Sequence, residues 1–173
     1  GLDFKIVTAW NALTITGLAD CHDALGDDRL LTLAVNAMKF LETHLIADGQ
    51  VYRNYTDHRS TTEGFLDDYA FLIEAYRRLY ECTFDLRYLD QSAHWTTYVL
   101  EHFFSDTENL FFYTSDKAET LIYRKKEVFD NVIPASNAVM ARNLLRLGAH
   151  YGREEWTILA TRMLHQVAGL IAI

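Results

Sequence analysis

At 173 residues, half of them hydrophobic and 13% aromatic, the chain can bury one substantial core and is not disordered. A formal net charge of −8 leaves no basic face for phosphate neutralisation, so no nucleic-acid partner is expected. No window reaches the roughly 18 uninterrupted apolar residues of a membrane span, and no membrane partner is expected.

Cys21 and Cys82 lie far apart in apolar helical contexts. They read as buried free thiols of a reducing compartment, which makes a cytoplasmic location the expectation. Pro134 is the single proline, as long uninterrupted helices require.

In chain order, residues 1–7 read as an irregular approach. Thr8 is a good N-cap, and Trp10, Leu13, Gly17, Leu18, Cys21 and Leu25 recur at helical spacing. From Ala9 to Ala19 no residue is charged, so this helix is expected to be buried almost all round. Gly26 ends it, and an amphipathic helix follows from about Asp28 to Ile46. The alternation repeats. An apolar helix, about Asp67 to Cys82, is followed by an amphipathic one, about Arg87 to Phe103; residues 136–150 and 153–170 form a third pair.

The repeat has a fixed length. Gly26 to Ala34, Asp85 to Ala93 and Gly152 to Ala160 are each eight residues; Asn11 to Gly26, Ala70 to Asp85 and Asn137 to Gly152 are each fifteen. Three helical hairpins, about 8–46, 65–103 and 136–170, account for both spacings. The pattern is that of an all-α toroid of paired helices, inner and outer. Three hairpins make an arc that does not close, so a fragment of a larger barrel protein, or a missing partner segment, is expected.

Inner-to-outer turns are tight, whereas the outer-to-inner connections, 48–64 and 105–135, are long and emerge where the inner helices begin. Loops of that length in a compact domain usually have a task. The second is expected to hold a β-hairpin, with Leu110–Thr114 and Thr120–Arg124 flanking Ser115-Asp116-Lys117. Gly49–Tyr55 offers a shorter strand.

Chemistry-bearing residues gather at the starts of the inner helices, where free N–H groups and the positive dipole end favour acids or anionic ligands. Asp67 and Asp68 sit there. Capping alone accounts for one acid; two adjacent ones point about 100° apart on a helix, so one can cap while the other reaches a pocket. Arg124, Lys125, Lys126, Glu127 and Asp130 read either as a solvated charge run or as a cluster crossing the mouth. Ser136 or Asn137 follows as an N-cap. Trp10 serves core packing or sugar stacking, and Asn11 needs a hydrogen-bond partner in either case. Only His58 among the histidines falls in a mouth-side loop, and no metal-ligand spacing or phosphate loop is present.

Read together, Leu2–Asn11, Gly64-Phe65-Leu66-Asp67-Asp68-Tyr69-Ala70 and Arg124-x-Lys126-Glu127-x-x-Asp130 resemble the YyaL family, which includes the spermatogenesis-associated thioredoxin-like proteins. The resemblance spans nearly the whole chain. It implies part of an (α/α)6 barrel similar to N-acylglucosamine 2-epimerases and other six-hairpin sugar enzymes. It also implies an attached thioredoxin-like domain and the remaining half of the barrel as partners. There are two departures. The family's Asp-Gly-Ala-x-Pro-Ser-Gly-Asn-Ser is Asp130-Asn-Val-Ile-Pro134-Ala-Ser136-Asn137-Ala here, and its Trp-Asn-Gly is Trp10-Asn11-Ala12.

The leading functional expectation is a carbohydrate-active pocket for a sugar-like small molecule, with hydrolase-like chemistry ranked above epimerase-like. Asp67 or Asp68 on one wall and Glu127 or Asp130 on another supply the acid and base. Arg124 holds the substrate or fixes the ionisation of Glu127, Trp10 and Tyr69 line the floor, and Asn11, Ser136 and Asn137 bind. No cofactor or metal is implied. The competing expectation is a non-catalytic barrel that binds a ligand or partner, in which the carboxylates are saturated by Arg124 and Lys126.

Overall fold

The computed structural model describes residues 4–60, 62–118 and 124–171. Their elements run β1 (Ile6–Val7), α1 (Thr8–Leu25), α2 (Asp28–His44), β2 (Ile46–Ala47), β3 (Gln50–Val51), β4 (Asn54–Thr56), β5 (Arg59–Ser60), α3 (Leu66–Thr83), α4 (Leu86–His102), β6 (Phe104–Ser105), β7 (Leu110–Phe111), α5 (Ser136–Tyr151) and α6 (Glu154–Ile171). Each expected helix is present. α1, α3 and α5 pack side by side, and α2, α4 and α6 each back onto the helix before them. This is an arc of three hairpins with an inner and an outer row.

The tight turns follow from one backbone conformation. Gly26, Phe84 and Gly152 all sit in the left-handed region, at φ 67°, 56° and 63°. The first two return an N–H to the last turn of their helix, and Gly152 does the same to Gly148. Two of the three use glycine, whose missing Cβ removes the penalty there; Phe84 bears it. Asp27 and Asp85 then cap the next helices by accepting from the N–H of Arg29 and Arg87.

Burial corrects one expectation. α3 is enclosed, with 13 of its 18 residues buried, because it has α1, α5 and α4 as neighbours. α1 is not buried all round: Trp10 is 61% exposed, and Thr14, Gly17 and Cys21 continue its open face. It has one inner neighbour instead of two. Cys21 is exposed and Cys82 half-buried, so neither is the buried thiol its context suggested. The arc is also pinned by charge at its far end, where Arg78 of α3 reaches Asp20 at 2.8 Å and Asp23 at 2.7 Å on α1. Arg142 of α5 meets the buried Glu74 at 2.6 Å.

Short strands organise the other end. β1, β4 and β5 form an antiparallel sheet with β4 central, pairing Val7 with Asn54 and Tyr55 with Ser60. The approach to α1 is therefore a strand end and not irregular. β2 pairs with β3, and β6 with β7. Leu110–Phe111 pairs with Phe104–Ser105 across a tight turn; most of the other strand expected to flank it, Thr120–Tyr123, lies outside the described residues. Among the described residues, no helix is long and apolar enough to cross a membrane.

Candidate functional site

The starts of α1, α3 and α5 lie at one end of the arc, bound together through side chains. Asp68 is the central one. Its Oδ1 accepts the N–H of Ala9 at 3.0 Å, in the first turn of α1. Its Oδ2 accepts the Phe65 N–H and a bond from Arg53 Nη1, each at 3.0 Å. Phe65 offers no side-chain acceptor in return, so Asp68 supplies the cap of α3 by itself. Arg53 Nη1 also reaches Asp67, at 3.1 and 3.3 Å. One acid caps while its neighbour turns elsewhere, as adjacent positions on a helix allow.

Arg53 is fixed through its own backbone. Its carbonyl accepts from Thr8 at 2.9 Å and its N–H donates to Thr62 at 2.8 Å. The guanidinium lies over the Phe65 ring, 4.8 Å from the centroid. Burial works against its charge, but Asp68 and Asp67 outweigh that and raise its pKa.

Tyr113 extends the cluster. Its carbonyl accepts the Leu66 N–H at 2.9 Å, and its ring lies 5.0 Å from that of Phe65. The charges of Asp67, Arg53 and Glu127 all act on its hydroxyl. Burial first, then those two acids, push the phenol upward. Lys125 Nζ sits 4.2 Å from the centre of the same ring and 3.9 Å from Glu127 Oε1.

α5 joins through Asn137 and Ser136. Asn137 clamps Phe111, taking its N–H at 2.8 Å and returning a bond to its carbonyl at 3.0 Å, and donates to the Glu127 carbonyl at 2.9 Å. Ser136 donates to Glu127 Oε2 at 3.2 Å. Asp130 Oδ1 accepts the Ala135 N–H at 2.8 Å and so shapes the turn into α5.

Burial sets the protonation of the acid pair. It lifts the Asp68 carboxyl to about 7; the neighbouring Asp67 adds to this, while Arg53 and the two N–H donors partly offset it. One guanidinium cannot neutralise two buried carboxylates, so the second retains its proton near neutral pH.

Several site residues stand elsewhere than the sequence suggested. Arg124 is turned away from Glu127: its guanidinium donates to the carbonyls of Thr114 and His102 and lies over the Phe112 ring. Lys126 covers the other cation position on that ring and pairs with Glu108 at 2.7 Å. Neither reaches the aspartates; Arg53 does. Tyr69 is no floor residue, because its ring is buried against Trp95, Tyr98 and Phe103 on the α4 side. Its hydroxyl accepts the Val51 N–H at 3.0 Å. The Trp10 ring is open to solvent in this chain, on the flank of α1 that has no second inner neighbour. Asn11 donates to Val7 O at 2.9 Å. Thr8 is the first residue of α1 and not its cap; its hydroxyl goes to Tyr52 O at 2.6 Å. His58 occupies the β4–β5 turn, with Nδ1 3.3 Å from the Tyr55 hydroxyl.

Sequence reasoning missed Arg53 and Tyr113. Both lie in mouth-side connections, and that placement was their only signal. Among the described residues, no three His, Cys, Asp or Glu side chains converge as a metal cage.

No family model matches the chain. Human spermatogenesis-associated protein 20 is 35% identical over 175 residues, covering 90% of this chain and 21% of that protein. The rat protein is 32% identical over 167 residues with the same coverage. The chain thus spans about a fifth of the length of these relatives. Among solved structures, an α-mannanase of glycoside hydrolase family 76 from Bacteroides thetaiotaomicron superposes with a TM-score of 0.77 at 18% identity, over 94% of this chain and 44% of that one. Cellobiose 2-epimerase from Bacillus thermoamylovorans gives 0.76 at 12% identity, over 96% and 45%. Over the stretch they share, the chain is a homologue of spermatogenesis-associated protein 20, and its fold is that of the (α/α)6 glycosidase and epimerase barrels.

Proposed function

We propose that the chain supplies one wall of a saccharide pocket at the mouths of α1, α3 and α5, with Asp67 and Glu127 as its acid–base pair. The observation that supports this is the Tyr113 ring, which packs 5.0 Å from Phe65, the ring that carries the Asp67 partner Arg53, and itself carries Lys125, 3.9 Å from Glu127. Asp68 and Arg53 fix Asp67 from behind, and Asp68 holds a proton at near-neutral pH. Two carboxyl groups facing one mouth are what general acid–base work on a glycosidic or anomeric centre needs. The open Trp10 ring, beside the Ala9 amide that Asp68 grips, is a stacking face for a sugar ring. Ser136 and Asn137 hold Glu127, Asn11 steadies the first turn of α1, and Asp130 shapes the loop. The ranking of hydrolase-like over epimerase-like chemistry rests on the acids, because His58 is engaged with Tyr55 on a hairpin turn.

The three hairpins match less than half of each solved neighbour, so the rest of the pocket comes from further hairpins of a larger protein. A thioredoxin-like domain in that protein belongs to the same proposal. The test is calorimetric binding of mannose-, glucose- and N-acylglucosamine-containing oligosaccharides to wild type, Asp67→Asn and Glu127→Gln, alongside melting temperature. Loss of binding with melting retained supports the pocket.

A second reading has its own observation: Asp68 is fully buried and all its described partners are donors, as in a structural plug. In that case the Asp67 variant loses folding first.

A further inference from the structure

Arg53 spends only one of its nitrogens on the two aspartates. All three of its carboxylate contacts run through Nη1; Nη2 and Nε have no partner among the described residues. The side chain keeps 28% of its surface accessible. A guanidinium presents a planar fork of donors, and its unused Nε–Nη2 edge has the spacing that takes both oxygens of a carboxylate. The fork is also preorganised. Backbone bonds on both sides hold residue 53, Phe65 lies under its plane, and two acids fix its inner end.

A second cation stands on the adjoining ring. Phe65 carries Arg53 and Tyr113 carries Lys125, and the two rings are 5.0 Å apart. Lys125 is 59% exposed and meets its one acid, Glu127, only at 3.9 Å. A protein of net charge −8 therefore places two cations with spare donors at the mouth of its acid pair. A neutral sugar leaves the spare donors of these cations without a charged partner, since hydroxyl groups are met as well by amides and carboxylates.

We propose that this mouth selects a sugar bearing a carboxylate, a uronic acid residue, with Arg53 taking the carboxylate through its Nε–Nη2 edge and Lys125 as the supporting charge. The inference rests on the pocket proposed above and names the class of its ligand. A planar monoanion is favoured over a phosphate dianion because Asp67 and Glu127 remain close by and repel the second charge. Protonation at Asp68 works in the same direction. With that carboxyl neutral, Asp67 and Arg53 balance, and an incoming anion meets no net negative charge at the fork.

The test compares D-glucuronate, its neutral methyl ester, D-glucose, glucose 6-phosphate and acetate by calorimetry on the complete polypeptide that carries these residues. Glucuronate is expected to bind on the order of tenfold tighter than glucose or the ester, the return on one charge-assisted bidentate contact. Arg53→Gln is expected to bring that ratio to about one, and Lys125→Ala to reduce it several-fold. The exposed Lys125 variant keeps the test decisive if Arg53→Gln does not fold. Equal binding of glucuronate and glucose overturns the inference and leaves the pocket standing. Binding of no sugar overturns both. Tighter binding of glucose 6-phosphate, acetate binding as strong as glucuronate, or an unchanged ratio in both variants also overturns it.

Discussion

The Asp68 carboxylate and the Ala9 amide stand 59 residues apart in the chain and 3.0 Å apart in space. One side chain thereby satisfies an orphan N–H at the start of α1 and another at the start of α3. This contact sets the two helix mouths in one layer, and everything proposed for the pocket depends on it.

Asp68→Ala leaves both N–H groups and part of the Arg53 charge without an acceptor in a buried place. The expected loss is about 3–5 kcal/mol, the range for breaking one side of a buried ion pair. Asp68→Asn keeps an acceptor for Ala9 and is expected to cost about 1–3 kcal/mol. Urea unfolding of the two variants measures the order. Equal stability of both with wild type would mean the contact holds nothing.

The pH dependence has a definite sign. In the unfolded chain Asp68 titrates near the ordinary aspartate value of about 3.9; folded, it titrates at about 7. Between these values the folded state holds the extra proton, so stability falls as pH rises through this window. Denaturation midpoints from pH 4 to pH 8 should carry this downward contribution in wild type, and Asp68→Asn should remove it. An identical slope in the variant would contradict the assignment.

Asn137→Ala removes three bonds to backbone groups of Phe111 and Glu127. A loss of about 1–3 kcal/mol is expected, with greater hydrogen exchange at the Phe111 amide. If exchange at Phe111 is unchanged, the clamp is not what orders that strand.

The helices and their pairing were legible in the sequence because apolar periodicity, Gly26, Gly152 and the eight- and fifteen-residue spacings all reported the same hairpin. The gathering of Asp67, Asp68, Glu127 and Asn137 at one end was legible too, since every long connection leads there. What could not be read was the partner of each charge. Arg124 and Arg53 are equally plausible in sequence, and the choice is made by the β1–β4 pairing that fixes residue 53 beside α1. Tyr69 misled for a related reason: it lies next to Asp68 in the chain, but one step along a helix turns a side chain by about 100°, here toward α4. Trp10 was open to two readings because the burial of a helix face depends on neighbours that sequence periodicity does not count.

Phe84 marks a site where stability can be gained. It takes the left-handed conformation that Gly26 and Gly152 take in the other hairpins, and its ring is largely exposed. Phe84→Gly is expected to stabilise the protein by about 0.5–1 kcal/mol, the relief of backbone strain less the added freedom of the unfolded chain. A lower melting temperature would show that its edge contact with Tyr80 outweighs the strain.

The most direct measurement for the pocket itself is saccharide binding by Asp67→Asn and Glu127→Gln, followed in parallel with thermal unfolding. Each variant is expected to lose sugar binding at least tenfold while its melting temperature stays within a few degrees of wild type. Variants that bind as wild type does, or that unfold before binding is affected, would contradict the proposed pocket.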